Sequence, residues 1–211
     1  MTVYVVGYRD KVPDEAIVIE TTSRAITWSK GLSPFSLGPV ELSPGLHAKN
    51  MENAWQFSKV YKQHIDENGL IKVKEYLDWA MQGWNDTYAH RYPMGKGAKP
   101  EFSIKLLPFG KCFIDGSGYK IDEYLPVKKL SYIEARKELY IPFYSKAVSD
   151  SDAYNKLADL FFTERQDIYL RDFDGYNHKT LGMTYEDVIN CETKKMGHAF
   201  VLAMMLEGYL K

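Results

Sequence analysis

Four polar side chains in and just after the segment MENAWQFSK follow helical spacing. Glu52, Gln56, Lys59 and Gln63 lie four, three and four residues apart, and on an α-helix Glu52 and Lys59 differ in azimuth by only about 20°. They predict one polar stripe with Trp55 beside it. An indole next to a carboxylate, an amide and an amine is typical of a wall for a planar base. A solvent-facing side of an amphipathic helix is the plainer interpretation.

Two further segments carry groups that suit phosphate. The loop TWSKGLSPFSLGP places Trp28 and Phe35 among glycines and hydroxyl side chains, and its backbone amides could hold a phosphate. It contains no GxxxxGKS or GxGxxG pattern, so the common nucleotide-binding motifs are not indicated, and a rigid loop packed by its own aromatic side chains explains it as well. The segment RYPMGKGAKP interleaves Arg91, Lys96 and Lys99 with glycines, which favours phosphate or a nucleic-acid backbone, or a plain solvated loop.

A pair of carboxylates follows a predicted strand in RDFDGYNH. Asp172 and Asp174 there suit acid/base chemistry or metal binding. A turn at Asp174-Gly175 is the plainer explanation, and the other ligands of an EF-hand are absent. The histidines show no HExxH spacing and the chain has no GxSxG elbow, so a metalloprotease or serine hydrolase is not indicated. His198 is predicted to be a hydrogen-bonded core residue. We expect neither a metal site nor a cofactor.

Composition limits the class of protein. The 211 residues carry a net charge of -1, with 45% hydrophobic and 26% charged residues, which excludes disorder and a global attraction to nucleic acid or anionic membranes. The chain is of a length for one domain. Cys112 and Cys191 lack disulfide or zinc spacing. The first apolar run is too short for a signal peptide or a membrane span, so a cytoplasmic location is expected by default.

Periodicity and capping residues predict an α+β fold, mostly helical, with a small β-sheet. Two β-branched runs at the start indicate a hairpin or two adjacent strands, and QDIYLRDFD indicates another strand. The segment from Asn85 to about Leu130 is predicted to be irregular, with one hairpin around Cys112–Tyr119. The predicted helices are 51–66, 70–84, 131–149 with a kink or break at Pro142, 151–162, and an apolar, central 193–210.

Taken in order, several segments resemble the NADAR family, named for NAD and ADP-ribose metabolism. LSPF at Leu32–Phe35 resembles the family's LSNF loop, and ENAWQFSK at Glu52–Lys59 resembles its EHAFQAAK helix. ARKELYIPFYSKAV, DFDGY and MGHAFVLAMML are similar to the later family segments. The family's Asp-Trp-Gly is replaced by Asp-Gly-Tyr and an Arg of the last helix is missing, as in a distant subgroup, with a phage-borne member as one interpretation.

The resemblance implies a single domain over 1–211, with an N-terminal β extension at 1–27 and a NADAR-like core at 28–211. It also implies cleavage of an N-glycosidic bond between a ribose and a base or amine, in an ADP-ribose-like or nucleotide-derived small molecule or in ADP-ribosylated nucleic acid. Such chemistry needs a carboxylate to stabilise charge on the sugar carbon and a proton for the leaving base. The expected residues are Glu52, Lys59, Asp172 and Asp174 for catalysis, and Trp28, Phe35, Trp55, Gln56, Arg91, Lys96 and Lys99 for substrate binding.

Alternatives remain open at this point. Lys59 is expected either to attack the opened sugar as an amine or to act through its charge. The chain is otherwise a non-catalytic binder of nucleotides or ADP-ribosyl groups, or an inhibitor of a defence enzyme. No membrane partner is expected, and the sequence does not indicate an oligomeric state.

Overall fold

The fold is α+β, as the sequence predicts, with about 38% helix and 18% strand. The computed structural model describes residues 1–107 and 127–210, together with the backbone of two strands at 113–115 and 118–120. The chain divides into two compact units. One is discontinuous and comprises Met1–Leu37 with Ile141–Lys211, and the other is the central unit, Gly38–Tyr140.

The discontinuous unit is built on a parallel three-stranded sheet. Its strands are β1 (Val3–Gly7), β2 (Ile17–Glu20) and, numbered tenth along the chain, β10 (Ile168–Asp172), in the order β1-β10-β2. The predicted hairpin or adjacent pairing of the first two strands is therefore wrong, because β10 lies between them. Nearby turn residues suggested a local pairing, whereas the parallel partner comes from much later in the chain.

Four helices accompany this sheet. The helices are α4 (Ile141–Ser149), α5 (Asp152–Glu164), α6 (Tyr185–Asn190) and α7 (His198–Leu206). α7 packs against β1, β10 and α4, and nearly all of its side chains are buried, which confirms the predicted central helix. It begins at His198 rather than at residue 193 because Gly197 is its N-cap. A Cβ at Gly197 would lie 2.0 Å from an Asp172 carboxylate oxygen, so only glycine fits at this position.

The described part of the central unit contains short antiparallel sheets and several helices. The strands are β3 (Val40–Ser43), β4 (Leu46–Ala48), β5 (Lys59–Val60), β6 (Phe102–Leu106), β7 (Phe113–Asp115), β8 (Gly118–Lys120) and β9 (Val127–Leu130). They pair as β3-β4, β5-β6-β9 and β7-β8. The β7-β8 pair confirms the predicted hairpin, although Cys112 lies outside the described residues. The strands β6 and β9 were not predicted in a stretch that the sequence marks as irregular.

The predicted helix over residues 51–66 is wrong in its length. α1 spans only Met51–Gln56, with Phe57 as its C-cap, and a short 3-10 helix follows at Lys62–His64. The Ser58 hydroxyl donates to the Ala54 carbonyl at 2.7 Å, which satisfies the acceptor that the Ser58 amide would use in a longer helix. The next residues pair with β6 instead.

Three other predicted helices lie close to helices of the structure, whereas α6 was not predicted. α2 (Val73–Asn85) corresponds to the predicted 70–84 helix. Ser131 and Glu134 form the predicted capping box at the start of α3 (Tyr132–Ala135), which a π-helical segment, Arg136–Tyr140, follows. The irregularity thus precedes Pro142, the second residue of α4, as expected where a proline removes an N–H from a continuing helix. The predicted cap of α5 by Ser151 is confirmed.

Close packing between α1 and α2 yields a first testable prediction. A Cβ at Gly83 would lie 2.1 Å from the Phe57 ring, so overpacking by Gly83→Ala is expected to cost about 2–3 kcal/mol, the upper part of the usual range. Alanine's better helix propensity offsets roughly 1 kcal/mol of that cost. Urea unfolding should therefore show net destabilisation. In a Phe57→Leu background the same change should cost less. Fully additive losses would contradict the proposed contact.

Candidate active site

A chain of three polar side chains runs along α1 and into β5. The Glu52 side chain is buried, with the residue 7% exposed, and one of its carboxylate oxygens accepts a hydrogen bond from Gln56 Nε2 at 2.9 Å. The Gln56 Oε1 atom accepts in turn from Lys59 Nζ at 2.7 Å. Both polar ends of the Gln56 amide are therefore engaged, and the amide links a carboxylate to an ammonium group.

Two aromatic rings border this chain of hydrogen bonds. Lys59 Nζ lies 4.8 Å from the centroid of the half-buried Trp55 ring, a distance at which the ring stabilises the cation. Trp55 also makes an edge contact with Tyr140, with 5.0 Å between ring centroids. We call Glu52, Trp55, Gln56, Lys59 and Tyr140 the α1 site. The Lys59 ammonium group and the Glu52 carboxylate of this site both have partners inside the central unit.

Helix geometry explains only part of this arrangement. Asn50 caps α1, since its side chain accepts from the Asn53 amide at 2.8 Å. Gln56 is placed one helical turn after Glu52, but Lys59 reaches Gln56 from a strand. Gln63, the fourth member of the predicted stripe, lies in the 3-10 helix and contacts the Met94 sulfur at 3.7 Å. The stripe of four is therefore wrong, while its first three members do meet.

A second group of predicted residues lies on the segment 88–99, which we call the basic loop. Lys96 and Lys99 are exposed, and the half-buried Arg91 has its guanidinium 5.5 Å from the Tyr92 ring centroid. The loop starts on the side chain of Asn53, which donates to the Tyr88 carbonyl and accepts from the His90 amide, both at 2.8 Å. It is thus tied to the helix that carries Glu52.

Asp86, shortly before the basic loop, is a carboxylate with a shifted pKa. Asp86 Oδ2 lies 2.8 Å from His90 Nε2, and the hydrogen bond from His90 lowers the pKa of Asp86 below its usual value, with a smaller contribution from the Tyr88 backbone amide. The Asp86 carboxylate is therefore held in place by the histidine four residues along the chain.

The remaining predicted aromatic residues lie in the discontinuous unit. Trp28 opens a 3-10 helix, Trp28–Leu32, and Lys156 Nζ lies 5.4 Å from its ring centroid. A Cβ at Gly31 would lie 2.8 Å from that of Ala153, so this loop packs closely on α5. Phe35 is half-buried a few residues later. The packing is that of a rigid loop, and substrate contact by Trp28 and Phe35 stays a prediction.

The two predicted aspartates have different surroundings. Asp172 is 4% exposed, and its Oδ2 lies 3.2 Å from His198 Nδ1 and 3.4 Å from the Ala199 amide at the start of α7. Asp174 is half-buried and lies 3.5 Å from Lys195 Nζ. Asp172 is thus bound to the first turn of α7, whereas Asp174 occupies the turn before Gly175.

His198 confirms its predicted place as a hydrogen-bonded core residue. Its Nε2 atom lies 2.8 Å from the Thr21 carbonyl, opposite the Asp172 contact. Both ring nitrogens therefore lie within hydrogen-bond distance of an oxygen. Tyr144 lies beside this ring, and burial, followed by the nearby Asp172 charge, raises the pKa of Tyr144 well above its usual value.

The structure brings together Glu52, Gln56, Lys59 and Trp55 in the central unit, where the basic loop also lies. Asp172 and Asp174 belong to the discontinuous unit, so a site shared by the Glu52 and Asp172 groups stays a prediction. Sequence reasoning missed Asn53 and Tyr140. Asn53 adjoins Glu52 in the same motif and could have been found as a second polar residue of α1, while nothing in the sequence pairs Tyr140 with Trp55.

Comparisons with known proteins add no relative. No protein-family model, no curated protein and no solved structure matches the chain. Among the residues that the structure describes, no group of three histidines, cysteines or carboxylates is arranged to hold a metal ion. Within the same residues, no helix has the length and apolar character to cross a membrane.

Proposed function

We infer that the protein is an N-glycosidase that cleaves the bond between a ribose carbon and a base or amine nitrogen in an ADP-ribose-like or nucleotide-derived substrate. One observation carries the proposal: a buried carboxylate, Glu52, is joined through the Gln56 amide to the Lys59 ammonium beside an indole ring. The resemblance of LSPF and ENAWQFSK to NADAR segments supports the same reaction class.

The chemistry assigned to Glu52 follows from the charge that develops. As the bond from the sugar carbon to nitrogen breaks, positive charge grows on the carbon, and a nearby carboxylate stabilises it. The same carboxylate accepts a proton from the water that attacks this carbon and passes a proton on to the departing nitrogen, so that one water is added across the broken bond. Gln56 fixes the orientation of the carboxylate, since its Nε2 atom donates to Glu52.

Lys59 is assigned an electrostatic role. Its Nζ atom donates to the Gln56 carbonyl and lies over the Trp55 ring. Two contacts suited to a cation therefore hold it in place, whereas a covalent route needs the amine to attack the sugar aldehyde. A fixed cation suits the phosphate groups of an ADP-ribose-like substrate. The Trp55 ring supplies a flat surface for a base.

Lys59→Arg and Lys59→Met separate the two roles. Because Arg keeps the charge, we expect Lys59→Arg to retain turnover within about tenfold, and Lys59→Met to lose about 100-fold or more. Borohydride added during turnover should trap no sugar adduct. Equal loss in both variants, together with a trapped adduct on the peptide that contains Lys59, would establish a covalent route through the amine instead.

The proposal is tested by mass spectrometry of candidate substrates incubated with the full chain. NAD, ADP-ribose, ADP-ribosylated DNA and intermediates of riboflavin synthesis form the panel. We expect release of a free base or amine from one of them. A ligand that co-elutes unchanged with the protein would instead assign it as a binder, and no release from any of them would contradict the proposed reaction on these substrates.

Partner and location belong to the same proposal. The partner is a nucleotide-like small molecule or an ADP-ribosylated nucleic acid, and the cytoplasm is the expected location.

A further inference from the structure

The basic loop combines exposed aromatic rings with positive charge. Tyr88 is 72% exposed and Tyr92 48% exposed, and both stand in a stretch, Thr87–Pro100, that contains Arg91, Lys96 and Lys99 but no acidic residue. Exposed apolar rings rimmed by charged side chains are typical of a binding surface. Bases stack on such rings, and their phosphates pair with nearby cations.

The loop has a defined shape rather than an extended one. The Gly95 amide donates to the Tyr92 carbonyl at 3.0 Å, and the Ala98 amide donates to the Gly95 carbonyl at 3.3 Å, so two turns follow one another. Gly95 and Gly97 both have positive φ angles, 88° and 92°, which L side chains rarely adopt. These turns keep the two lysines on a short, preformed segment.

Both ends of the loop are attached to the elements that carry the α1 site. Asn53, next to Glu52, binds the backbone of Tyr88 and His90. At the other end the Glu101 amide donates to the Val60 carbonyl at 2.8 Å, one residue after Lys59. A chain that lies along the loop is therefore held beside α1 and β5.

We propose that the basic loop is a docking surface for single-stranded nucleic acid, with bases stacked on Tyr88 and Tyr92 and phosphates on Arg91, Lys96 and Lys99. A duplex does not fit this chemistry, because its bases are already stacked and hidden from the rings. This proposal deepens the proposed function, because it names single-stranded nucleic acid as the molecule that contains the base to be released. In that respect the proposal rests on the proposed function. Strand binding itself does not require turnover.

Fluorescence anisotropy with an oligothymidylate of about 12 nucleotides tests the surface. Across about 50 to 200 mM salt, three phosphate contacts on a single strand give a slope of log affinity against log salt of about -2. Lys96→Ala with Lys99→Ala should reduce that slope by about 1.4. Tyr88→Ala should weaken binding about 5- to 100-fold at fixed salt and leave the slope unchanged.

Controls match each change elsewhere on the surface. Lys11→Ala with Lys30→Ala removes two exposed lysines, and Phe162→Ala removes a ring that is 60% exposed; neither should alter binding. Glu52→Gln should bind the strand with unchanged affinity. Strand binding is therefore tested independently of the glycosidase assay, and a failure of that assay would not affect the binding result. No binding, equal affinity for a duplex of the same length, or an unchanged affinity in Tyr88→Ala would overturn the proposal.

Discussion

Glu52→Gln is expected to lower turnover by about 100-fold or more, the range associated with a positioned acid/base group, while the protein stays folded. The substitution removes the negative charge at nearly constant volume. Its carboxamide oxygen can still accept from Gln56 Nε2, the bond that Glu52 now receives at 2.9 Å. The loss should therefore appear in kcat measured on the substrate found in the mass-spectrometric panel, with the unfolding midpoint little changed.

Glu75→Gln is the matched control for that change. Glu75 is an exposed glutamate in the first turn of α2, so the net charge changes equally without touching the α1 site. We expect its turnover to equal that of the unaltered protein. Normal turnover by Glu52→Gln would reduce the α1 site to a polar helix face with no chemical role.

Asp172→Ala is expected to lower the free energy of unfolding by about 2–6 kcal/mol, as when two buried nitrogens lose a common acceptor at about 1–3 kcal/mol each. Asp172 is nearly fully buried and lies 3.2 Å from His198 Nδ1, at the start of a helix that is itself the centre of its unit. Without the carboxylate, the His198 ring and the Ala199 amide lose an acceptor that no water replaces easily. Guanidinium unfolding measures the loss.

Asp174→Ala provides the comparison for Asp172. Asp174 pairs with the largely exposed Lys195, and an ion pair of this kind contributes less than about 1 kcal/mol. A large difference between the two aspartates is therefore expected. If Asp172→Ala unfolds at the normal guanidinium concentration but abolishes turnover, Asp172 has the catalytic role that the sequence suggested rather than the structural role that its contacts indicate.

Local signals predicted the elements that depend on neighbouring residues. The capping box at Ser131 and the cap at Ser151 follow directly from the sequence because a cap needs only residues within one turn. The strands β1, β2 and β10 were also predicted, but the parallel pairing of β10 with the other two was not, since pairing across so long a separation leaves no local pattern.

The α1 site was predicted from a premise that is partly wrong. The helix ends at Gln56 because Ser58 bonds back to Ala54 and Lys59 pairs with a strand. The contact between Lys59 and Gln56 survives because a long lysine side chain still reaches the amide from the strand. Tyr140 enters the site through tertiary packing against Trp55, which spacing along the chain does not encode.

Proton NMR of the sugar product tests the proposed reaction most directly. In a reaction followed with the full chain, the anomeric proton signal of the base-linked sugar should disappear while the signal of a free hemiacetal appears. The amount of hemiacetal should equal the amount of released base. We expect this exchange for the unaltered protein and its near absence for Glu52→Gln. An anomeric signal that stays unchanged while a product forms would show that a bond other than the N-glycosidic bond is cleaved, and would contradict the proposed reaction.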